Sequence, residues 1–591
     1  MKLKTLQLSF SLFLLLGVCQ NQLSAQSFTT YSTTMVGFAQ GSSDWGDYDE
    51  DGYLDVIFTG ILANSQASTK LYRSNQGAFE EVSAGIADLK NGTVKFGDYD
   101  NDNDLDILIC GLNNNYEATT LLYQNQNGAF VKMNMGFPGI YNGGAFFGDF
   151  DNDGFLDVLL TGDTLSYTPM TRLYKNNGDG SFSVVSQDFY PLISSTAAFG
   201  DYDNDGDNDI LICGDYSGMY VSKIYRNDNG IFAPTSIFLE GLGAGAAEFL
   251  DFDKDNDNDL LMLGNDMTLT PAFKVYRNDG PGIYTEVSEG ITGLALGNLA
   301  IADYNNDGYP DFAATGKAAG CGATASFMYF NNKQGGFWQE AVSLQNMSNS
   351  HVSWGDMDND SDPDLLLMGI GSNGYAQTVL YRNNAGSNTF TTWQAPTVPS
   401  GMQATVDGNS VTLSWDKSLL GKTAQAQFSY NLRVGINPGK MEVMSPNASL
   451  ATGFCKLPGM GNVGCDTSWT ITNLREGDYF WSVQAVDHAF GTSAFTTEGT
   501  FTISLTGTRP NAIIANAVYP NPFNQFLNLE MPQGKAPFTI SLLNLHGSSV
   551  YETQSQETQL IIPTTTLRSG MYVLRVEDSV GNQRFYKVCR Q

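Results

Sequence analysis

The chain has 591 residues and a formal net charge of −32, from 62 acidic against 30 basic side chains. That excess repels phosphate backbones and excludes nucleic acid as a partner. The length and the 42% hydrophobic content suit several globular domains, and beyond a short N-terminal run no stretch is long and apolar enough to cross a membrane.

Residues 1–25 read as a signal peptide. Lys2 and Lys4 precede the apolar run Phe10–Val18, and Leu23-Ser24-Ala25 offers a small-residue cleavage site before Gln26. Val18 is a poor match for a lipid-attachment box ahead of Cys19, so lipidation is not expected.

Residues 26–394 repeat one acidic loop seven times, at steps of 50 to 53 residues. The loop reads Asp-x-Asp-x-Asp-Gly-x-x-Asp and runs into a short apolar stretch ending in Gly. First places are Asp47, Asp98, Asp149, Asp201, Asp251, Asp303 and Asp356. Third places are Asp49, Asp100, Asp151, Asp203, Asp253, Asn305 and Asp358. Fifth places are Asp51, Asp102, Asp153, Asp205, Asp255, Asp307 and Asp360. Ninth places are Asp55, Asp106, Asp157, Asp209, Asp259, Asp311 and Asp364. The seventh places, Tyr53, Asp104, Phe155, Asp207, Asp257, Tyr309 and Asp362, are counted in the expected ligand set. Short oxygen ligands alternating along a tight loop make a hard-cation site, and Ca²⁺ is the usual occupant, so about seven Ca²⁺ are expected. The 27 carboxylates at the first, third, fifth and ninth places supply much of the net charge. Turn-forming residues alone would not need such a register, because the carboxylates repel unless a cation offsets them. The sixth place must turn sharply with φ > 0, which suits Gly52, Gly154, Gly206 and Gly308 and is tolerated by Asn103 and Asn256. Ser361 is the least suited occupant.

A second element follows each loop, as in Leu71-Tyr72-Arg73-Ser74, Leu122-Tyr123-Gln124-Asn125 and Ile224-Tyr225-Arg226-Asn227. Short apolar runs punctuated by Asn and Gly predict about four strands per repeat and no helices. Runs such as Asp106–Gly111 are apolar on both faces, as inner strands between neighbouring sheets require. These residues resemble the FG-GAP/VCBS repeat family, the propeller type of integrin α chains and many bacterial surface proteins. The resemblance implies an all-β, seven-bladed β-propeller. A closed ring needs its ends joined. Phe28-Thr29-Thr30 is the expected closing strand, Phe390-Thr391-Thr392 the other candidate, and an eight-bladed ring the alternative.

Residues 395–505 begin with a linker marked by Pro396 and Pro399. Val411–Trp415, Tyr430–Val434 and Leu474–Ala485 resemble a fibronectin type III sandwich, which implies a corner tyrosine at Tyr479, Trp415 and Trp481 in the core, and a spacer role. Cys455 and Cys465, ten residues apart in one loop, are expected to pair, as an exported chain permits. Cys110 and Cys213, at equivalent positions two repeats apart, are expected to stay buried thiols. Gly459-Met-Gly461-Asn-Val-Gly464 precedes a strand and not a helix, so it reads as a flexible loop and not a phosphate cradle.

Residues 506–517 form a linker before 518–591. Tyr519-Pro520-Asn521-Pro522-Phe523, Leu567-Arg-Ser-Gly570-Met-Tyr572 and the ending Lys587-Val588 resemble the type A C-terminal sorting domain of the type IX secretion system of Bacteroidetes. That resemblance implies engagement with the secretion machinery, export, and removal of the domain afterwards.

His351, His488 and His546 form no cluster, no Gly-x-Ser-x-Gly elbow occurs, and no catalytic constellation stands out. The sequence therefore predicts an exported calcium-binding propeller that presents a binding or adhesion surface to a protein or glycan, at the cell surface or in the medium. A polysaccharide-degrading enzyme and a structural surface-layer component are the alternatives, since fold does not fix function.

Overall fold

The structure, a computed structural model, describes residues 28–165, 168–280, 282–288, 290–320, 322–384, 395–419, 428–504, 517–519, 522–531, 536–544, 549–565, 567–577 and 583–590. It is all-β, with no helix among the described residues. The signal segment 1–25, Phe390–Thr392, most of the 506–517 linker, Cys19, Cys321 and His546 lie outside them.

Seven antiparallel four-stranded units recur along residues 28–383. The first pairs Ser43–Gly46, Asp55–Ile61, Ala67–Asn75 and Ala78–Val82 in order. The second to sixth repeat this plan, and the fifth to seventh join edge to edge into one 13-stranded sheet. In the seventh, Met347–Gly355, Asp364–Gly371 and Ala376–Asn383 take Phe28–Tyr31 as their fourth strand, with Phe28 opposite Asn383. The N-terminal segment is thus the closing strand.

Successive units share apolar clusters, and the last of these joins the seventh unit to the first through Trp45, Phe58, Met357 and Leu366. Second strands such as Asp55–Ile61 and Asp106–Leu112 are buried at every position because a sheet covers each face. The glycine that ends each first strand is set by this packing. A Cβ on Gly46 would lie 2.8 Å from Phe96 of the next unit, one on Gly148 2.5 Å from Phe199, and one on Gly355 2.7 Å from Trp45 of the first.

Two polar rings reinforce the closure. At one end, Gln40, Asn91, Asn142, Ser194, Ala244, Leu296 and Asn349 all hold left-handed φ between 45° and 55°. The amides of Gln40, Asn91, Asn142, Leu296 and Asn349 bond the equivalent carbonyl of the preceding unit, as Asn91 to Gln40 (2.7 Å) and Gln40 to Asn349 (2.9 Å). The second ring is built from the buried Asn after the Leu-Tyr pair. Asn227 Nδ2 donates to Phe150 O in the preceding unit (2.6 Å) and to Asn208 O (2.9 Å), while its Oδ1 accepts from Gly230 N (2.7 Å). Asn125, Asn176, Asn278, Asn331 and Asn383 do the same. The first unit has Ser74, whose hydroxyl accepts from Gly77 N (3.2 Å) and has no other partner among the described residues, so the closure between seventh and first units lacks this amide. Asn227→Ala leaves a buried carbonyl and amide unpaired and is expected to destabilise by about 2–4 kcal/mol in chemical denaturation. Ser74→Ala is expected to cost under about 1 kcal/mol, and equal costs would contradict the clamp.

Residues 395–406, 410–473 and 478–501 fall in the same compact unit as the ring. They form two three-stranded sheets, Ser400–Asp407, Ser410–Asp416 with Ser468–Ile471, and Ser429–Gly435, Gly477–Val486 with Gly499–Ile503. Trp415 and Trp481 are buried with ring centroids 6.5 Å apart, and Tyr479 stacks on Phe501 at 5.0 Å. The expected Cys455–Cys465 disulfide is absent. Both thiols are free, and Cys455 Sγ instead donates to Leu457 O (2.9 Å) in a loop held against the ring. The 459–464 loop is pinned and not flexible, since Gly461 N donates to Ser429 Oγ (2.9 Å) and Asn462 Oδ1 accepts from Leu432 N (2.7 Å). Cys110 and Cys213 are buried thiols, as expected.

The second compact unit takes in 407–409, 474–477 and the chain from 502 on, and its described body is residues 517–590. A three-stranded sheet (Ala517–Tyr519, Phe526–Glu530, Gln559–Pro563) and a four-stranded one (Ser549–Ser555, Phe538–Leu543, Gly570–Glu577, Gln583–Arg590) share a core that includes Phe523, Leu527, Phe538, Ile540, Leu574 and Val588.

Candidate metal centres

Each acidic loop joins the first strand of a unit to the second. Its opening aspartate folds it: Asp47 Oδ1 and Oδ2 accept the amides of Asp51 and Gly52 (both 3.0 Å). All seven sixth-place residues have left-handed φ, from 68° at Ser361 to 90° at Gly206. The fifth-place oxygen takes the seventh-place amide, as Asp51 Oδ1 from Tyr53 (3.1 Å). The ninth aspartate ties the loop to its sheet. Asp55 Oδ2 accepts Tyr48 N (3.2 Å) and its Oδ1 accepts Ser74 N (2.7 Å).

The third place behaves differently. Its outer oxygen meets a strand residue, as Asp49 Oδ2 meets Arg73 (2.7 Å), Asp203 Oδ2 meets Arg226 (3.1 Å) and Asp100 Oδ2 accepts from Gln124 (2.6 Å). Its inner oxygen is buried without a partner in six loops, at Asp49, Asp100, Asp151, Asp203, Asp253 and Asp358. Oxygens of Asp47, Asp49 and Asp55 lie within 4.8 Å of one another, and so do those of Asp98, Asp100, Asp106 and of Asp149, Asp151, Asp157. A buried carboxylate oxygen is nearly always bonded. One left bare beside two more carboxylates fits a bound cation.

Burial sets the electrostatics. It raises the carboxyl pKa of Asp47 to about 6, of Asp149 to about 8, of Asp55 to about 8 and of Asp106 to about 9. Neighbouring aspartates add to the rise. Without a counter-charge these loops hold protons, and a divalent cation would replace them.

The FG-GAP-like repeat family matches five overlapping segments, 47–109, 98–160, 149–212, 201–262 and 251–314. The secretion system C-terminal sorting domain family matches 517–588. The chain carries FG-GAP-like repeats and a secretion system C-terminal sorting domain. No curated protein matches it. Among solved structures, it is similar to PorZ, an essential surface component of the type IX secretion system of Porphyromonas gingivalis. That likeness has 13% identity, covers 91% of this chain and 74% of that one, and has a TM-score of 0.27. It is also similar to the extracellular domain of the hybrid two component system BT4673 from B. thetaiotaomicron, at 9% identity, 96% and 99% coverage and a TM-score of 0.36. The sorting domain marks the protein for export to the cell surface or the medium.

Within the acidic loops, several seventh-place carboxylates also make bonds outside the loop's own turn. Asp104 and Asp207 accept the amides of Asn127 (3.0 Å) and Asn229 (2.6 Å), and Asp257 and Asp362 accept from Asn204 and Asn306 (both 2.6 Å). The fourth place is a feature that the sequence reading missed. Glu50, Asn101, Asn152, Asn204, Lys254, Asn306 and Asn359 are all left-handed. Their side chains reach the next loop round the ring, as Asn152 Nδ2 to Gly206 O (2.7 Å) and Asn359 Nδ2 to Gly52 O (2.8 Å). Five asparagines in seven copies were the available signal.

The sixth loop departs from the pattern. Asn305 Oδ1 accepts Asp307 N (3.0 Å), and the bare buried oxygen is Asp311 Oδ2 at the ninth place. With one carboxylate fewer it is expected to be the weakest site, the Ser361 loop coming next. Asn305→Asp tightens the weakest step of a Ca²⁺ titration, and Ser361→Gly improves the seventh loop. An unchanged weakest step in Asn305→Asp would contradict this ranking.

The domain at 395–501 is no free spacer, because it docks on these loops. Asp47 N donates to Lys456 O (3.0 Å), Ser445 N to Asn101 Oδ1 (3.1 Å) and Asp303 N to His488 O (2.9 Å). Lys456 is fully buried, with its ammonium on Asn103 Oδ1 (3.0 Å) and 3.9 Å from Glu50. Contacts separated by some 350 residues leave no local sequence pattern.

Proposed function

We propose that the protein is an exported, seven-bladed propeller (residues 26–394) loaded with Ca²⁺. It carries a fibronectin type III-like cap (395–505) and presents a recognition face to a protein or glycan at the cell surface. The sorting domain (518–591) engages the type IX machinery and is then removed.

The observation that carries recognition is the hairpin joining the second and third strands of each unit. Strands alternate in direction, so these tips lie at the end opposite the acidic loops and the docked cap. There Tyr116, Leu165, Met219, Met267, Leu269 and Tyr375 are 52–71% exposed. Six large apolar side chains on one rim exceed what solubility favours and suit a partner surface rich in aromatic and Met contacts. The bare third-place oxygens support the metal, which would hold the loops and so the ring that spaces these tips.

A glycan array and a blot of surface proteins, probed with the full-length secreted protein with and without Ca²⁺, test this. Binding is expected with Ca²⁺, and the Tyr116→Ser, Tyr375→Ser double variant abolishes it while its melting temperature stays within about 1 °C. Binding unchanged in that variant would place recognition elsewhere.

A further inference from the structure

A chamber of about 430 Å³ lies on the ring axis, lined by the first strands of all seven units. Residues Gly459, Met460 and His488 of the docked domain close it at the acidic-loop end. At the other end stands the ring of left-handed turns through Gln40 and Asn349, which has no charged side chain. The volume lies in the usual range for small-molecule sites, about 300–1,000 Å³.

The lining is charged where a mere packing void would be apolar. Lys95 Nζ meets Asp44 Oδ1 at 3.1 Å, and Asp44 Oδ2 accepts Phe96 N (2.8 Å), so this pair is internally satisfied. Lys95 and Asp44 keep 35% and 19% side-chain exposure. Glu248, on the fifth unit, has no hydrogen bond or ion pair among the described residues; burial raises its carboxyl pKa to about 7, opposed only by the longer-range field of Lys95. Asn298, on the sixth, has a buried Oδ1 with no partner. His351 lies against Ser43 Oγ (3.2 Å), and burial lowers its pKa to about 3, so it adds no positive charge. Asp487 at the cap is tied into its own turn by the amides of Ala489 (3.0 Å) and Gly491 (2.8 Å). The chamber therefore offers one unpaired carboxylate and one unpaired amide oxygen on adjacent units, both acceptors, within a neutral mouth.

We propose that this axial chamber binds a small hydroxylated primary ammonium compound, of the amino-sugar or amino-alcohol class, with its –NH₃⁺ held by Glu248 and Asn298. A group with three donors and a positive charge answers two bare acceptors together and draws the Glu248 carboxyl into its charged form as it binds. A neutral polyol would answer neither the charge nor the second acceptor as well. The site is independent of the outer hairpin rim, so either can fail alone.

Equilibrium dialysis of radiolabelled glucosamine against the full-length Ca²⁺-loaded protein tests the proposal, with glucose as the near-isosteric uncharged control. The expected result is one saturable glucosamine per chain, glucose weaker by about tenfold or more, and glucosamine weaker by about tenfold or more in Glu248→Gln, as loss of a charge-assisted hydrogen bond implies. Diffuse attraction of ammonium to the acidic surface does not saturate and is equal in parent and variant. Glucose binding as tightly as glucosamine, an unaltered Glu248→Gln, or no saturation below about 20 mM overturns the proposal. If Glu248→Gln fails to fold, the glucosamine and glucose pair on the parent chain decides alone.

Discussion

Chelation by EDTA lowers the melting temperature of the ring by about 4–13 °C. Extracellular Ca²⁺ modules bind at roughly 10⁻⁴–10⁻³ M, so at about 1 mM Ca²⁺ each site adds about 0.4–1.4 kcal/mol and seven add about 3–10 kcal/mol. Spread over the entropy of unfolding the roughly 370 residues of the ring, that energy gives the stated shift. The pH dependence has a definite sign. The ninth-place carboxyls and several others of the loops are raised, from Asp98 and Asp100 at about 6 to Asp259 and Asp364 at about 9. Between the unfolded value near 4 and these values the folded chain holds protons that the unfolded chain has lost. Metal-free stability is therefore full below about pH 4, apart from other groups, and falls as pH rises toward 9. Ca²⁺ competes with the same protons, so its stabilisation grows over that range. Melts in EDTA and in Ca²⁺ should diverge from pH 5 to pH 8. An EDTA melt that matches the Ca²⁺ melt at pH 8 would contradict structural calcium.

Deleting residues 512–591 abolishes export across the outer membrane and leaves folded propeller in the periplasm of a native-type host. The segment matched as a sorting domain is a compact unit with its own two-sheet core, as an address read by machinery after the cargo folds requires. Because the segment has a core of its own, the mature protein is expected to lose it within or near 506–517. Mass spectrometry of the surface and medium fractions checks both statements. Peptides from 530–591 in equal amount to propeller peptides there would contradict removal, and normal export of the truncated chain would contradict the address.

What the sequence made legible is what is local and repeated. The spacing of Asp47 to Asp356 gave the seven loops, and the Gly, Asn, Ser series at the sixth place foretold seven left-handed turns, all of which occur. The Phe28-Thr29-Thr30 segment was readable as the closing strand because a ring cannot leave an edge open. The FG-GAP-like repeats and the sorting domain were legible for the same reason, as dense motifs. Features that depend on distant partners were not. Asn227 was visible as a recurrent residue, yet its bond to Phe150 O is a contact 77 residues away. Cys455 and Cys465 are near in sequence, but the loop they share spends its geometry on docking Lys456 onto Asn103, and the thiols stay apart. The axial chamber gathers single residues from seven repeats, so no one stretch of sequence announces it.

Metal content after dialysis of the purified full-length protein against Ca²⁺, read by elemental analysis per chain, tests the central claim most directly. Seven folded loops, six with a bare inner oxygen at the third place, predict close to seven Ca²⁺, with the site at Asn305 the first to empty as Ca²⁺ is withdrawn. Two or fewer per chain would contradict the account, because the buried aspartates would then need some other counter-charge to hold the ring together.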